Sequence, residues 1–230
     1  MPDVPPHEAV DPDQQLLDGI TSKGYDLSKP HVIGFRIDFG PAAARQAAAD
    51  LIRAGHPSVR LEMEDAPSVI VTKQMLVTLD SLRSTRAELN DYASGQDAEV
   101  TNVLIGGRDP GKERAWKKDA AGTADTDEAD QLVIDQLFAW DVDLKQTMIF
   151  TGGIAFTEEG TARDAAAALM LEGFPEVAVV ESDIGPVAEA VMYMAADVRA
   201  LHKLRRNLAE YAKSQGGAWL GFHASARAPA

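Results

Sequence analysis

From His31 to Phe39 the chain alternates, with Ile33, Phe35, Ile37 and Phe39 on one side and Val32, Gly34, Arg36 and Asp38 on the other. A period of two is that of a strand with one buried face. The period then changes, because Ala44, Ala47, Ala48, Leu51 and Ile52 form one face of a helix. Gly40-Pro41 reads as its cap and first-turn proline, Gly55 as a left-handed stop, and Pro57 as a block to continuation. The many alanines let this helix lie close against a sheet. A strand follows at about Ser58 to Glu62, then a turn with Pro67 and a further strand. A long helix covers about Leu76 to Ser94, with Leu79, Leu82, Leu89 and Ala93 in its stripe, and a strand at about Glu99 to Ile105 closes the series. An opening helix, about Asp13 to Lys23, precedes it.

The whole series recurs. Asp13, Gln14 and Asp18 match Asp130, Gln131 and Asp135, and Ile37 and Phe39 match Ile154 and Phe156. After one inserted residue, Ala44-Arg45 matches Ala162-Arg163, and Leu51, Gly55, Pro57 and Val59 match Leu169, Gly173, Pro175 and Val177. Further on, Leu82, Arg86, Leu89 and Tyr92 match Leu201, Arg205, Leu208 and Tyr211. Matches in one order with almost no gaps mark an internal repeat. The second copy accordingly reads as a helix at about Ala129 to Trp140, a strand at Thr147 to Phe156, and a helix capped by Thr157 with Glu158-Glu159 in its first turn. A strand at Glu176 to Glu181, a turn at Gly185-Pro186, a helix at Ala196 to Ser214 and a strand at Trp219 to Ala224 complete it. The fold class expected is α+β, with two tandem ferredoxin-like (β-α-β-β-α-β) units, each with an extra N-terminal helix and antiparallel sheets. The boundaries expected are a disordered tail over 1–12, a first repeat over 13–105, a linker over 106–128, a second repeat over 129–224 and a tail over 225–230.

Composition narrows the function classes. The formal net charge is −14, which argues against direct nucleic-acid binding, since that needs lysine and arginine to displace counterions from phosphates. Acidity either keeps the protein soluble or speeds association with a basic partner. Cysteine is absent, so disulfides, thiol nucleophiles and thiolate metal sites are excluded. No stretch has the length of a membrane span, and no signal peptide is evident at the N-terminus.

The repeat also tests candidate chemistry. His31, His56, His202 and His223 face Met148, Phe174, Arg83 and Leu104 in the other copy, so the histidines read as surface or edge residues and no metal site is expected. The carboxylates are too abundant to single out an acid–base pair, and Glu158-Glu159 is explained by its helix start. Gly152-Gly153 lies inside a strand, which points to a bulge or a close approach rather than a phosphate loop. Arg86 and Arg205 read as arginines whose stems pack on the sheet edge while their heads find a carboxylate. Tyr92 and Tyr211 read as core residues with a wet hydroxyl. The segment Lys112 to Lys118, with Trp116, is a small basic-aromatic patch able to touch RNA or a partner helix. No catalytic, cofactor-binding or metal residue is assigned. The candidate protein-binding residues are Arg36 and Asp38 on the polar strand face, with Asp125, Asp127 and Glu128 in the acidic run before the second repeat.

The segment Gly24-Tyr25-Asp26, then Lys29-Pro30-His31 opening a strand that ends in Phe39, then an alanine-rich helix running into Gly55-His56-Pro57, resembles the regulator of ribonuclease E activity B (RraB) family. The second copy carries the pattern through Phe156, the helix Thr161 to Glu172, and Gly173-Phe174-Pro175. The last strand departs from it: the family often has Asp-Gly-Trp there, and this chain has Thr101-Asn102-Val103 or Ala218-Trp219-Leu220. The resemblance implies a cytoplasmic bacterial protein that inhibits ribonuclease E by binding it, without catalysis. Two other readings stand beside it. One is a small-molecule or haem-binding enzyme or sensor with a pocket between sheets, lined by Met192, Tyr193, Met194 and Trp219. The other is a plain homodimer through the open sheet face.

Overall fold

The structure, a computed structural model, describes residues 11–40, 42–63, 67–106, 116, 124–139 and 143–226. Pro41, the segment Lys112 to Lys118 apart from Trp116, and the outer parts of both tails lie outside the described residues. The first unit runs α1 (Pro12–Ser22), β1 (Pro30–Asp38), α2 (Ala44–Arg53), β2 (Ser58–Glu62), β3 (Ser68–Leu76), α3 (Leu79–Ser94) and β4 (Glu99–Ile105). The second runs α4 (Asp127–Ala139), β5 (Met148–Ala155), α5 (Glu159–Glu172), β6 (Glu176–Ser182), β7 (Gly185–Met194), α6 (Val198–Ser214) and β8 (Ala218–Ala226). After the opening helix, each has the β-α-β-β-α-β order.

The two units share one sheet. Its order is β4-β1-β3-β2-β6-β7-β5-β8, eight strands with every pairing antiparallel. The joint is β2 against β6, where Val59 lies opposite Val177. These are the same position in the two repeats, so a pseudo-two-fold axis passes between them. The flanking bonds obey it: Leu61 N–H donates to the Pro175 carbonyl at 2.7 Å and Val179 N–H to the Pro57 carbonyl at 2.8 Å. On the helix side α2 packs against α5. Arg45 donates to the Met170 carbonyl at 2.8 Å, and Arg163 to the Ile52 carbonyl at 3.2 Å. Each arginine thus caps the end of the other unit's helix, where carbonyls lack intrahelical donors. Ala47, Ala48, Ala165 and Ala166 are all buried, and small side chains are what let the two helices approach over the joint.

The six helices among the described residues and the inward side of the sheet enclose a continuous core through both units. Ile33, Phe35, Ile37, Val69 and Val71 face it in the first unit, and Phe150, Ile154, Ala188 and Ala190 in the second. Burying an isoleucine or phenylalanine fully contributes about 1.5–3 kcal/mol, so this face sets the register of every strand.

Local details depart from the sequence expectations. α2 starts at Ala44 without a side-chain cap, and the Gly40 carbonyl accepts from Ala43 and Ala44 instead. α5 is preceded by Glu158 rather than Thr157 at its N-cap. Gly185-Pro186 opens β7 rather than forming a loop, and β8 runs on through Ala226, beyond the expected tail boundary. At the other end Asp11 caps α1 by accepting from Asp13 N–H at 2.9 Å, so the helix and its cap begin before residue 13.

Candidate functional site

The side of the sheet away from the helices carries the residues that packing does not explain. In the first unit it presents a charged network. Arg36 Nε donates to Asp38 at 2.9 Å and its Nη1 to Glu62 at 3.1 Å, while Arg60 donates to the other Glu62 oxygen at 2.7 Å. β1, β3 and β2 lie side by side, which brings residues of β1 within reach of β2 across the intervening strand. The expected pair Arg36 and Asp38 is therefore together, half-buried, and tied into a larger cluster.

The same positions in the second unit carry different chemistry. Gly153 stands where the first unit has Arg36, Ala178 where it has Arg60, and Glu189 where it has Ile70. Trp116 fills the space. Its ring lies on Gly153 so closely that a Cβ there would sit 2.6 Å from two ring carbons. It packs with Ala178, Val180, Val187 and Leu220 and meets the His223 ring edge-on at 4.5 Å between centroids. The indole N–H donates to Glu189 at 2.8 Å, and Glu189 is fully buried. Beside it, Tyr193 donates to the buried Glu176 at 2.6 Å.

Asp125, Asp127 and Glu128 lie elsewhere, at the start of α4. Arg205 on α6 donates from Nε to Asp130 at 2.8 Å, and its other nitrogens reach Asp125 and Asp127. Two of the three acidic candidates are thus engaged inside the chain, while Glu128 is exposed. The first unit has the corresponding contact, Arg86 to Asp13 through two nitrogens at 2.8–3.1 Å. Burial holds the Asp130 carboxyl above its ordinary value against the pull of Arg205. Burial also works against the charge on Arg205, yet Asp130 and Asp125 hold the guanidinium above its ordinary value. Asp127, Asp130 and His202 have ligand atoms within 4.8 Å of one another, and sequence reasoning missed this grouping because 75 residues separate Asp127 from His202. The Arg205 guanidinium already supplies the positive charge among these carboxylates, so the cluster is an ion-paired clamp between α4 and α6.

A third region lies at the ends of α2 and α5. His56 is buried, although its sequence context suggested the surface, and its Nδ1 has no hydrogen-bond partner among the described residues. Its Nε2 is 3.7 Å from Glu88, which also pairs with Lys73 at 2.9 Å. Burial, with the charge of Lys73 adding to it, pulls the His56 pKa down to about 4. In the second unit Phe174, Met192 and Asn207 take these three positions and line an open groove of about 490 Å³ with Leu169, Leu208 and Tyr211. Met192 and Trp219, considered as pocket residues, are both buried in the main core; Met192 also forms part of the groove wall.

The signal for the Trp116 site was present in the repeat itself: an arginine replaced by glycine and an isoleucine replaced by glutamate at facing positions. No helix among the described residues is long and apolar enough to cross a membrane. Comparison with curated proteins finds no match. Residues 11–101, the first unit from the cap of α1 into β4, match the model of the family described as Regulator of ribonuclease activity B (RraB).

Proposed function

We propose that this chain is a non-catalytic regulator that binds a ribonuclease E-type endoribonuclease and restrains it, and that its second unit arose as a copy of the first. The observation that carries the reading is the family match over nearly the whole first unit. The equivalent contacts in the second unit, Arg205 with Asp130 and Tyr211 with Ala165, support extending the likeness to residues 129–224. The net charge of −14 suits a basic partner, chiefly by raising the association rate. The half-buried Arg36, Asp38, Glu62 and Arg60 cluster offers such a partner polar groups held in fixed positions. Asp125, Asp127 and Glu128 contribute acidic charge at the start of α4. In this reading the chain works in the bacterial cytoplasm.

The test is interferometry of the full chain against a purified ribonuclease E-type enzyme over a salt series, paired with an RNA-cleavage assay. Saturable binding that weakens with salt, and slower cleavage by the ribonuclease, are expected. No binding at low salt ends the reading. A second reading, binding of a small apolar ligand, is favoured by the groove beside Phe174 and Tyr211. A rise in melting temperature in a metabolite and haem screen tests it.

A further inference from the structure

Trp116 sits in a slot that is built for it. Glu189 lies on β7, opposite Gly153 on β5 and Ala178 on β6, and is fully buried. Burying a carboxylate is costly unless it is paired. Simple packing needs nothing of the kind, since the first unit has Ile70 at the equivalent position, also buried. A carboxylate beside a strand position without a side chain provides an acceptor and a flat recess. The indole is a donor-only group on a large flat ring, and it matches both. Its sequence neighbours Lys112, Arg114, Lys117 and Lys118 are a basic cluster in a chain of net charge −14, and Glu176 lies beside the slot on β6.

The connection between the units does not require this contact. β4 and β8 are the two edges of the sheet. Strands about 4.8 Å apart place those edges roughly 34 Å from one another. The stretch between Ile105 and Asp127 can extend to about 70 Å. Trp116 is therefore held in the slot by recognition and not by a short tether.

We propose that the open face of the second unit is a recognition site for a polypeptide segment with a tryptophan among basic residues, and that Trp116 occupies it in cis until a partner segment of that chemistry displaces it. The proposal rests on the reading above only for the existence of a protein partner. A cis occupant tethered within the same chain has an effective concentration of about 1 mM. A competing peptide that binds the vacant slot with a Kd of about 100 µM is then weakened roughly ten-fold by the intact chain.

The experiment uses a fluorescein-labelled peptide of residues 110–120, PGKERAWKKDA, and anisotropy with the full chain. Trp116→Ala is expected to bind it saturably, about ten-fold more tightly than the intact chain. A peptide with alanine in place of tryptophan should not bind, and Gly153→Ala added to Trp116→Ala should abolish binding by filling the recess. A folded Trp116→Ala chain that binds neither peptide, or both equally, overturns the proposal. Should that variant fail to fold, the labelled peptide with the intact chain decides the matter: saturable anisotropy that the alanine-substituted peptide does not give supports exchange, and no binding up to millimolar chain overturns it. Peptide and ribonuclease are separate ligands, so a missing ribonuclease interaction leaves the slot result intact, and the reverse.

Discussion

Replacing Arg205 by methionine keeps most of the stem and removes the charge that three aspartates share. Their contributions are unequal. Asp125 and Asp127 have side chains 55% and 58% exposed, and an exposed ion pair contributes at most about 1 kcal/mol. Asp130 is 2% exposed and Arg205 6%, so the main loss comes from this pair. Removing one partner of a buried pair costs about 3–5 kcal/mol, because the other charge is left without compensation. With a urea m-value of about 2–3 kcal/mol/M, the midpoint falls by roughly 1–2 M. The pH dependence is a sharper check. Burial already raises the Asp130 carboxyl above its value of 3.8, and Arg205 opposes that shift. Without Arg205 the folded-state value rises further. Between the unfolded and folded values the native protein holds a proton that the unfolded chain has released, so stability falls as pH rises through that window and returns on acidification. The deficit of Arg205→Met measured by urea unfolding at pH 7 should therefore shrink toward pH 5. Adding Asp130→Leu should recover most of it, since an apolar pair of similar volume tolerates burial. A neutral-pH deficit below about 1 kcal/mol, or one that grows on acidification, refutes the reasoning.

Three further outcomes follow from the same structure. His56 has its pKa lowered from 6.5 to about 4, so the unfolded chain takes up its proton first and stability is lost as pH falls from 6.5 toward 4; His56→Phe, the residue of the second unit, should flatten that slope in urea melts. Gly152→Ala puts a Cβ 2.7 Å from the Trp219 ring and 3.1 Å from Leu208, an overpacking that should cost about 1–3 kcal/mol in thermal or urea unfolding. Tyr92 donates to the Ala47 carbonyl and Tyr211 to Ala165, so Tyr92→Phe and Tyr211→Phe should each lose about 1 kcal/mol by the same measurement.

Most of the fold was legible because it rests on local periods. The alternation of Ile33, Phe35 and Ile37 and the alanine face of α2 and α5 each identify an element and its buried side. The partners of Arg86 and Arg205 were legible as a type, an arginine meeting a carboxylate, because both repeats carry Asp13 or Asp130 in the opening helix. The joint was not legible. Its bonds are between backbone groups of β2 and β6, and any two exposed strand edges have the same groups to offer. His56 was misjudged for a related reason: a histidine after a helix-ending glycine is usually exposed, and here α3 and β3 supply Glu88 and Lys73 around it. Gly152-Gly153 reads as a bulge or a close approach, and the structure has both: the β5–β8 register shifts after Gly153, and the two glycines serve opposite faces, one against Trp219 and the other against Trp116.

The pattern of likeness between the units follows the geometry of the joint. A pairing about a two-fold axis sets a residue on the axis against its own counterpart and makes every other contact occur twice, once from each unit. The core-facing and helix-capping residues there match, Val59 with Val177, Pro57 with Pro175 and Arg45 with Arg163, whereas Ser58 and Arg60, turned to the other face of the same joint, have Glu176 and Ala178 as counterparts. Changing one of the matching residues alone would break one of two equivalent contacts and leave the other to hold the same helix spacing, a mismatch that a rigid packed core resists. Positions on the outer face of the sheet, or away from the axis, carry no such constraint within a single chain. There the units differ in charge and size: Arg36 against Gly153, Ile70 against Glu189, Lys73 against Met192. In a symmetric dimer of identical chains such differences are impossible, because each change appears in both copies. Joining the units in one chain lets the first keep a charged face while the second makes an indole slot from the same backbone. A partner that binds both at once therefore meets two different surfaces on one sheet, and can dock in only one orientation.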